Sequence, residues 1–182
     1  MHSMEDDIQK VLYSREKLAE IVHGVGARIS RDYEGKNLLL VSILKGSVVF
    51  MSDLMRSITI PCSIDFMAVS SYGSGVKTSG VVKIVKDLDI DLKGWDVLVV
   101  EDILDSGLTL SYIWKLLRAR SPKSIRLCTL FDKPDRRSVD ISADYVGAVV
   151  PDEFIVGYGL DYAQKYRNLP FVGILKPKVY GG

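Results

Sequence analysis

The chain has 182 residues, 47% of them apolar and 26% charged, and 24 basic and 23 acidic side chains leave a formal net charge of +1. That length suits one domain with a substantial core and is short for two, and the composition excludes a disordered chain. So even a balance speaks against a general nucleic-acid binder. No apolar run reaches the length of a membrane span or follows a basic N-terminus, so a cytoplasmic protein without membrane contact is expected.

Leu18, Ile21, Val22, Val25 and Ile29 recur at helical spacing behind Ser14, a good cap, which predicts a helix over 14–33. Leu38 to Leu44 (LLLVSIL) is a short continuous apolar run, the pattern of a strand buried on both faces. Lys45-Gly46-Ser47 breaks it, and VVFMSDLMRSI predicts a second helix. Two strands are expected at Ile64–Val69 and Val81–Val85, joined by SYGSGVKTSG. A central strand at Asp96–Val100 leads to a helix marked by Leu110, Ile113, Leu116 and Leu117, with Pro122 just beyond it. Ser124–Phe131 is a further strand, followed by the polar turn DKPDRR, and Tyr145–Val150, Phe154–Val156 and Phe171–Leu175 are short strand candidates.

Strands alternating with helices imply an α/β fold with a mostly parallel central sheet flanked by helices, read here as a single domain over residues 1–182. In such sheets ligands bind outside the carboxyl ends of the strands. Cys62 and Cys128 lie far apart in apolar stretches and read as reduced core residues. With His2 and His23 as its only histidines, the chain is a poor candidate for a zinc site or a serine–histidine triad.

The stretch VVEDILDSGLTL puts three acids and a small polar turn between the central strand and its helix. A turn such as Asp105-Ser106-Gly107-Leu108-Thr109 leaves backbone N–H groups pointing outward, and with the helix dipole these make an anion site suited to phosphate. Ser106 as a simple helix cap is the other reading. Glu101 and Asp102 are adjacent on a strand and so point to opposite sides. Carboxylates beside a phosphate suit sugar hydroxyls or a divalent cation that bridges to it, hence a ribose phosphate.

Other candidates lie at equivalent strand ends. Lys45-Gly46 offers a charge and loop amides for an anion, or is an ordinary strand–helix turn. Lys133 is either a carbonyl donor or a solvated loop lysine. Asp161-Tyr162-Ala163-Gln164 fits a capping box, which competes with metal ligation by Asp161. Arg167 alone reads as a surface charge, and Phe154 as a core aromatic or a platform for a planar base. The loop from Ser71 and Tyr72 to Gly80 is long and glycine-rich, and reads either as an idle connection or as a functional lid.

Together these residues resemble a family. VVEDILDSGLTL is similar to the phosphoribosyl pyrophosphate signature of type I phosphoribosyltransferases. LLLVSILKGSVVF, IDFMAVSSYG, LCTLFDKPDRR and FIVGYGLDYAQKYRNLPFVGIL resemble the hypoxanthine–guanine branch, from about Ile8 to Lys178. The resemblance implies transfer of phosphoribosyl from phosphoribosyl pyrophosphate to hypoxanthine or guanine, with xanthine a further candidate, and Mg2+ as cofactor. It gives Asp105–Thr109 (with Ser106, Gly107 and Leu108) the 5′-phosphate, and Glu101 and Asp102 the ribose hydroxyls, directly or through magnesium. Asp105 would act as general base or acid at purine N7, Lys133 would donate to O6, and Phe154 would stack on the base. The Ile155 backbone would read the far edge of the purine. Lys45, Gly46 and Arg167 would hold pyrophosphate. Asp161 would line the purine site and ligate a second magnesium, and Ser71 and Tyr72 would belong to a mobile lid. The chain ends would form a small hood, and a homodimer or homotetramer is implied.

Ser106 stands where threonine is common in the eukaryotic pattern, and Ile155 where valine is common. The first keeps the hydroxyl and the second keeps the backbone carbonyl. Two rival readings are a regulatory protein on the same fold that senses phosphoribosyl pyrophosphate, and a magnesium phosphohydrolase. The first lacks a basic cluster beyond DKPDRR, and the second leaves the phosphate turn and Lys133 unexplained.

Overall fold

A computed structural model describes residues 3–71 and 82–181 of the chain. In chain order the elements are β1 (Ile8–Tyr13), α1 (Arg15–Asp32), β2 (Leu38–Leu44), α2 (Val48–Ser57), β3 (Cys62–Ser71), β4 (Val82–Lys86) and β5 (Asp96–Leu104). There follow α3 (Leu108–Arg118), β6 (Ser124–Asp132), β7 (Tyr145–Val149), β8 (Ile155–Val156), β9 (Val172–Leu175) and α4 (Pro177–Tyr180). Short 3-10 turns cover Met4–Asp7 and Pro134–Arg136.

Six strands form one sheet in the order β4-β3-β2-β5-β6-β7, parallel throughout except for the antiparallel β3–β4 pair. The strand order runs outward from β2 in one direction and from β5 in the other, so the topological switch lies between β2 and β5. A ligand crevice opens at such a switch, outside the carboxyl ends of the strands. The remaining strands form a separate small sheet, β1-β9-β8, which brings the N-terminal strand beside the C-terminal ones.

Alternation along each strand divides the core into two layers. Leu38 and Leu40 pack with Leu98 and Val100 against Leu18, Val22, Val25 and Ile29 of α1 and Phe50 and Leu54 of α2. Leu39, Val41, Val97 and Val99 face the other way, onto Leu110, Ile113 and Leu117 of α3. A strand covered on both faces can bury every side chain, which is why LLLVSIL has no polar alternation. Each fully buried leucine or valine contributes roughly 1.5–3 kcal/mol of burial. Ser14 Oγ accepts from Lys17 N at 3.2 Å and caps α1 as its sequence predicts.

Three features differ from the sequence expectation. β5 does not stop at Val100: its parallel pairing with β6 continues through Glu101↔Thr129 to Leu104↔Asp132, so both acids sit within the paired strand. β1 and α4, with weak periodicity, appear only because the small sheet gives them partners. No helix follows Asp161. Asp161 Oδ2 does accept from Gln164 N at 2.8 Å, but Ala163 and Gln164 have φ of 49° and 65°, and the segment closes as a tight turn bridged by Tyr162 and Lys165. The proposed lid residue Tyr72 and the rest of 72–81 lie outside the described residues, and Ser71 is the last residue of β3.

Candidate active site

The switch point gathers the carboxyl ends of β2, β5 and β6, which brings Lys45-Gly46, Glu101–Thr109 and Lys133 to one crevice. The turn after β5 is built around Gly107, whose φ of +79° is natural only to glycine; a Cβ there would also lie 2.6 Å from Ile141 Cγ2. Gly107 is the N-cap of α3 and has no side chain to satisfy the first-turn amides, while Ser106 Oγ approaches Leu108 N only at 3.4 Å. The capping reading of Ser106 is thus a weak contact, and the turn keeps donors for an anion. A cavity of about 210 Å³ opens over it, lined by Glu101, Asp105, Ser106, Gly107 and Thr109.

Arg137, which the sequence left in a solvated turn, holds this loop from behind. Its guanidinium donates to Asp105 O at 3.0 Å, Leu104 O at 3.3 Å and Ile141 O at 2.5 Å, and pairs with the Asp132 carboxylate. Ser138 N adds a bond to Ser106 O at 2.9 Å. No periodicity marks such a clamp. Only the packing of 136–141 against the turn shows it.

Glu101 and Asp102 diverge as their strand positions require. Glu101 lines the cavity over the turn, whereas Asp102 faces the loop after β2, where a Cβ on Gly46 would lie 2.0 Å from Asp102 Oδ2. The Leu44–Lys45 peptide bond is cis. Burial, and then the neighbouring charge of Asp102, raise the Glu101 carboxyl well above the usual carboxylate range. Burial pushes Asp102 up to about 6, opposed by the Ile103 N–H donated to Oδ1 at 2.8 Å. A carboxyl whose folded pKa exceeds its unfolded one favours folding only while protonated. That contribution is complete below pH about 4 and is lost as pH rises past about 6. Asp102→Asn is therefore expected to raise the melting temperature of the metal-free protein at pH 8 by a few degrees, for on the order of 1–2 kcal/mol, and to leave it unchanged at pH 4. Thermal melts of both proteins at the two pH values check this.

Among the described residues no group of three or more His, Cys, Asp or Glu forms a metal cage. Two adjacent desolvated carboxylates nevertheless suit a magnesium ion, which commonly takes one or two carboxylates and completes its shell with water and substrate phosphate oxygens. Glu101 and Asp102, which point to opposite sides of β5, each fit as a single carboxylate in such a set rather than as a shared pair. Both Asp161 oxygens have protein partners, Oδ1 facing Arg167 at 2.8 Å and Oδ2 accepting from Gln164 N.

A second cavity, of about 380 Å³, adjoins the first and shares Ile103 and Asp105 with it. Lys133, 6% exposed, enters this cavity with Nζ donating to Glu153 O at 2.9 Å. That single bond leaves further ammonium protons for a ligand acceptor. Phe154, Ile155 and Asp161 line the same space. Asp105 Oδ1 is buried without a hydrogen bond and faces Arg136 Nε at 3.5 Å, an arginine that also reaches Asp152 at 3.7 Å.

Arg167 donates to Gly159 O at 2.7 Å, pairs with Asp161, and shares Gln164 Oε1 with Lys45 Nζ, at 3.3 and 3.5 Å. The left-handed turn at 163–164 thus links Lys45 to Arg167. Gln164 was legible only as part of a capping box. A third cavity, about 670 Å³ between α1, α2 and segment 158–170, is also lined by Arg167, and its one acid is Asp53, not Glu101, Asp102, Asp105 or Asp161.

A model of the phosphoribosyl transferase domain matches residues 9–163. The chain belongs to the phosphoribosyl transferase family. It is 52% identical to the hypoxanthine-guanine phosphoribosyltransferase of Bacillus subtilis, over 97% of this chain and 98% of that protein. It is also 56% identical to the bifunctional protein TilS/HprT of Listeria monocytogenes, where the match covers 98% of this chain but spans only 28% of the length of that relative. A crystal structure of a hypoxanthine phosphoribosyltransferase from Staphylococcus aureus superposes with a TM-score of 0.96 at 51% identity, covering 100% of both chains.

Proposed function

We propose that the protein transfers the 5-phosphoribosyl group of phosphoribosyl pyrophosphate to hypoxanthine or guanine, with xanthine a further candidate, releasing pyrophosphate. The observation that carries this reading is the pair of adjoining cavities with Asp105 on their shared wall: a phosphate turn on one side, a buried lysine and an aromatic ring on the other. The Bacillus subtilis and Staphylococcus aureus relatives are named for this activity.

In this reading the ribose 5′-phosphate sits on the Ser106–Thr109 amides and hydroxyls, and Glu101 and Asp102 hold the ribose hydroxyls and a magnesium ion, with Asp161 ligating a second. Magnesium, when bound, neutralises charge that develops on the departing pyrophosphate. Lys45, the Gly46 amide and Arg167 bind that pyrophosphate. As the C1–O bond breaks and the C1–N9 bond forms, positive charge grows on the sugar, where the nearby carboxylates offset it. Asp105 exchanges the proton at purine N7, Phe154 stacks on the base, and Ile155 O reads its far edge. Holding both substrates in one crevice removes much of the entropic barrier. Ser71 and Tyr72 serve a lid, residues 1–182 act as one domain, and the protein works in the cytoplasm as a homodimer or homotetramer. No helix among the described residues is long and apolar enough to cross a membrane.

Lys133 sets the base class. Its ammonium only donates, and so does the exocyclic amine of adenine, whereas O6 of hypoxanthine or guanine accepts. With magnesium and phosphoribosyl pyrophosphate, nucleotide is expected from hypoxanthine or guanine and about 10²-fold or more less from adenine. Chromatographic product assays with the four bases check this. Binding of phosphoribosyl pyrophosphate without any nucleotide product would favour the sensor instead, and free phosphate the hydrolase.

A further inference from the structure

We infer that Tyr180, on the C-terminal α4, is a positioning residue for the base: its ring backs Phe154 and fixes the plane that Phe154 presents to the purine. The inference rests on the reading of Phe154 as the stacking platform. Phe154 is 37% exposed, so burial alone does not fix its ring. Its backbone is held, since Phe154 O accepts from Leu175 N at 2.8 Å, but that bond leaves the side-chain torsions free.

What fixes the ring is a set of aromatic contacts. Tyr180 stacks on Phe154 with centroids 4.9 Å apart and planes 25° from parallel, and Tyr162 meets it edge-on at 5.6 Å and 90°. Tyr162 and Tyr180 also touch, at 6.4 Å and 66°. Tyr180 therefore takes one face of Phe154, and Tyr162 stands perpendicular to its ring. A ring has two faces, and a planar base needs the one that Tyr180 does not cover. Tyr180 and Phe154 line the cavity that also holds Lys133 and Asp105, so the pair stands where the purine's polar edge finds its donor.

α4 has four residues and little stability of its own, but it is not loose. Val179 and Tyr180 pack on the cluster of Val156, Tyr166, Leu169 and Leu175, and Lys176 N donates to Asp7 O at 2.9 Å, which ties the helix to the N-terminal segment. Through these contacts the small sheet sets the orientation of a ring in the base cavity. A freely turning Phe154 must be ordered by each incoming base, whereas a backed one is ordered in advance.

The test compares steady-state kinetics of the wild type, Tyr180→Ala, Tyr180→Phe and Phe154→Ala with hypoxanthine, guanine and phosphoribosyl pyrophosphate. For Tyr180→Ala the KM of either base is expected to rise about three- to tenfold, the range of one aromatic contact. Its kcat and its KM for phosphoribosyl pyrophosphate should stay within about twofold, and Tyr180→Phe should restore the base KM. An unchanged base KM in Tyr180→Ala, beside a raised one in Phe154→Ala, overturns the inference while sparing the platform. A lowered KM in Tyr180→Ala also overturns it, because the tyrosine would then be competing with the base. If Phe154→Ala itself leaves base binding intact, the platform reading fails and the inference fails with it. A uniform loss of kcat and both KM values, not rescued by phenylalanine, would reduce Tyr180 to a structural residue.

Discussion

Gly46→Ala is expected to fold and to lose transferase activity by about 10²-fold or more in kcat/KM for phosphoribosyl pyrophosphate. A Cβ at position 46 would lie 2.0 Å from Asp102 Oδ2 and 3.0 Å from Asp102 Cγ, closer than atoms can stay. Asp102 cannot retreat with its backbone, because β5 is paired with β6 on both sides of it, at Glu101↔Thr129 and Ile103↔Phe131. The loop has little room either: Gly46 O is packed so closely against Gly159 that a Cβ there would come within 2.1 Å of it. Either Asp102 turns away from the ribose or the Lys45–Gly46 loop moves by about 1 Å, and a misplacement of that size costs on the order of 10²-fold. Kinetics with a thermal melt separate this from unfolding. Gly24→Ala is the control: it lies within α1 with nothing within 4 Å of its Cβ, and should stabilise by about 1 kcal/mol with activity unchanged. Near-normal activity in Gly46→Ala would mean that the loop does not bind pyrophosphate in the way proposed.

Asp105→Asn should cost about 10²–10⁴-fold in kcat with hypoxanthine, the usual value of a positioned proton-transfer group. Its KM for phosphoribosyl pyrophosphate should change little. The fold has small need of this carboxylate. Asp105 Oδ1 makes no hydrogen bond, and its approach to the half-exposed Arg136 at 3.5 Å is a long surface ion pair. The loop itself is held through the Asp105 backbone carbonyl by Arg137, which asparagine preserves. Stopped assays over pH 5–9 with a melt at each pH provide the check. A loss below tenfold would remove Asp105 from the proton path and leave it as a wall of the cavity.

The two variants probe parts of the crevice that differ in how far the chain announces them. Asp105 belongs to a contiguous run, D-S-G-L-T after two acids, whose local chemistry already indicates a phosphate turn. Gly46 carries no such signal, since Lys-Gly after a strand is also an ordinary break. Its importance comes from Asp102, 56 positions later in the chain, and from Gly159. The same holds for Arg137, Gln164 and Tyr180. Arg137 reads as a turn residue, Gln164 as part of a cap, and Tyr180 carries no signal, until packing brings 136–141 under the Ser106–Thr109 turn, 164 between Lys45 and Arg167, and 180 onto Phe154.

By itself the sequence determined the layered α/β plan, because continuous apolar strands and 3.6-residue stripes are short-range patterns that dictate which faces must be covered. It also determined the small polar turn after β5 and the opposed directions of Glu101 and Asp102, which follow from local backbone geometry. Tertiary structure alone decided how far β5 extends, since the pairing with β6 and not propensity carries the strand through its acids. It decided as well that Asp161 begins a tight turn rather than a helix, and that β1 and α4 exist at all. Those choices depend on partners distant in the chain, and a backbone N–H or an aromatic face is satisfied by whatever the fold brings to it, which no local pattern records.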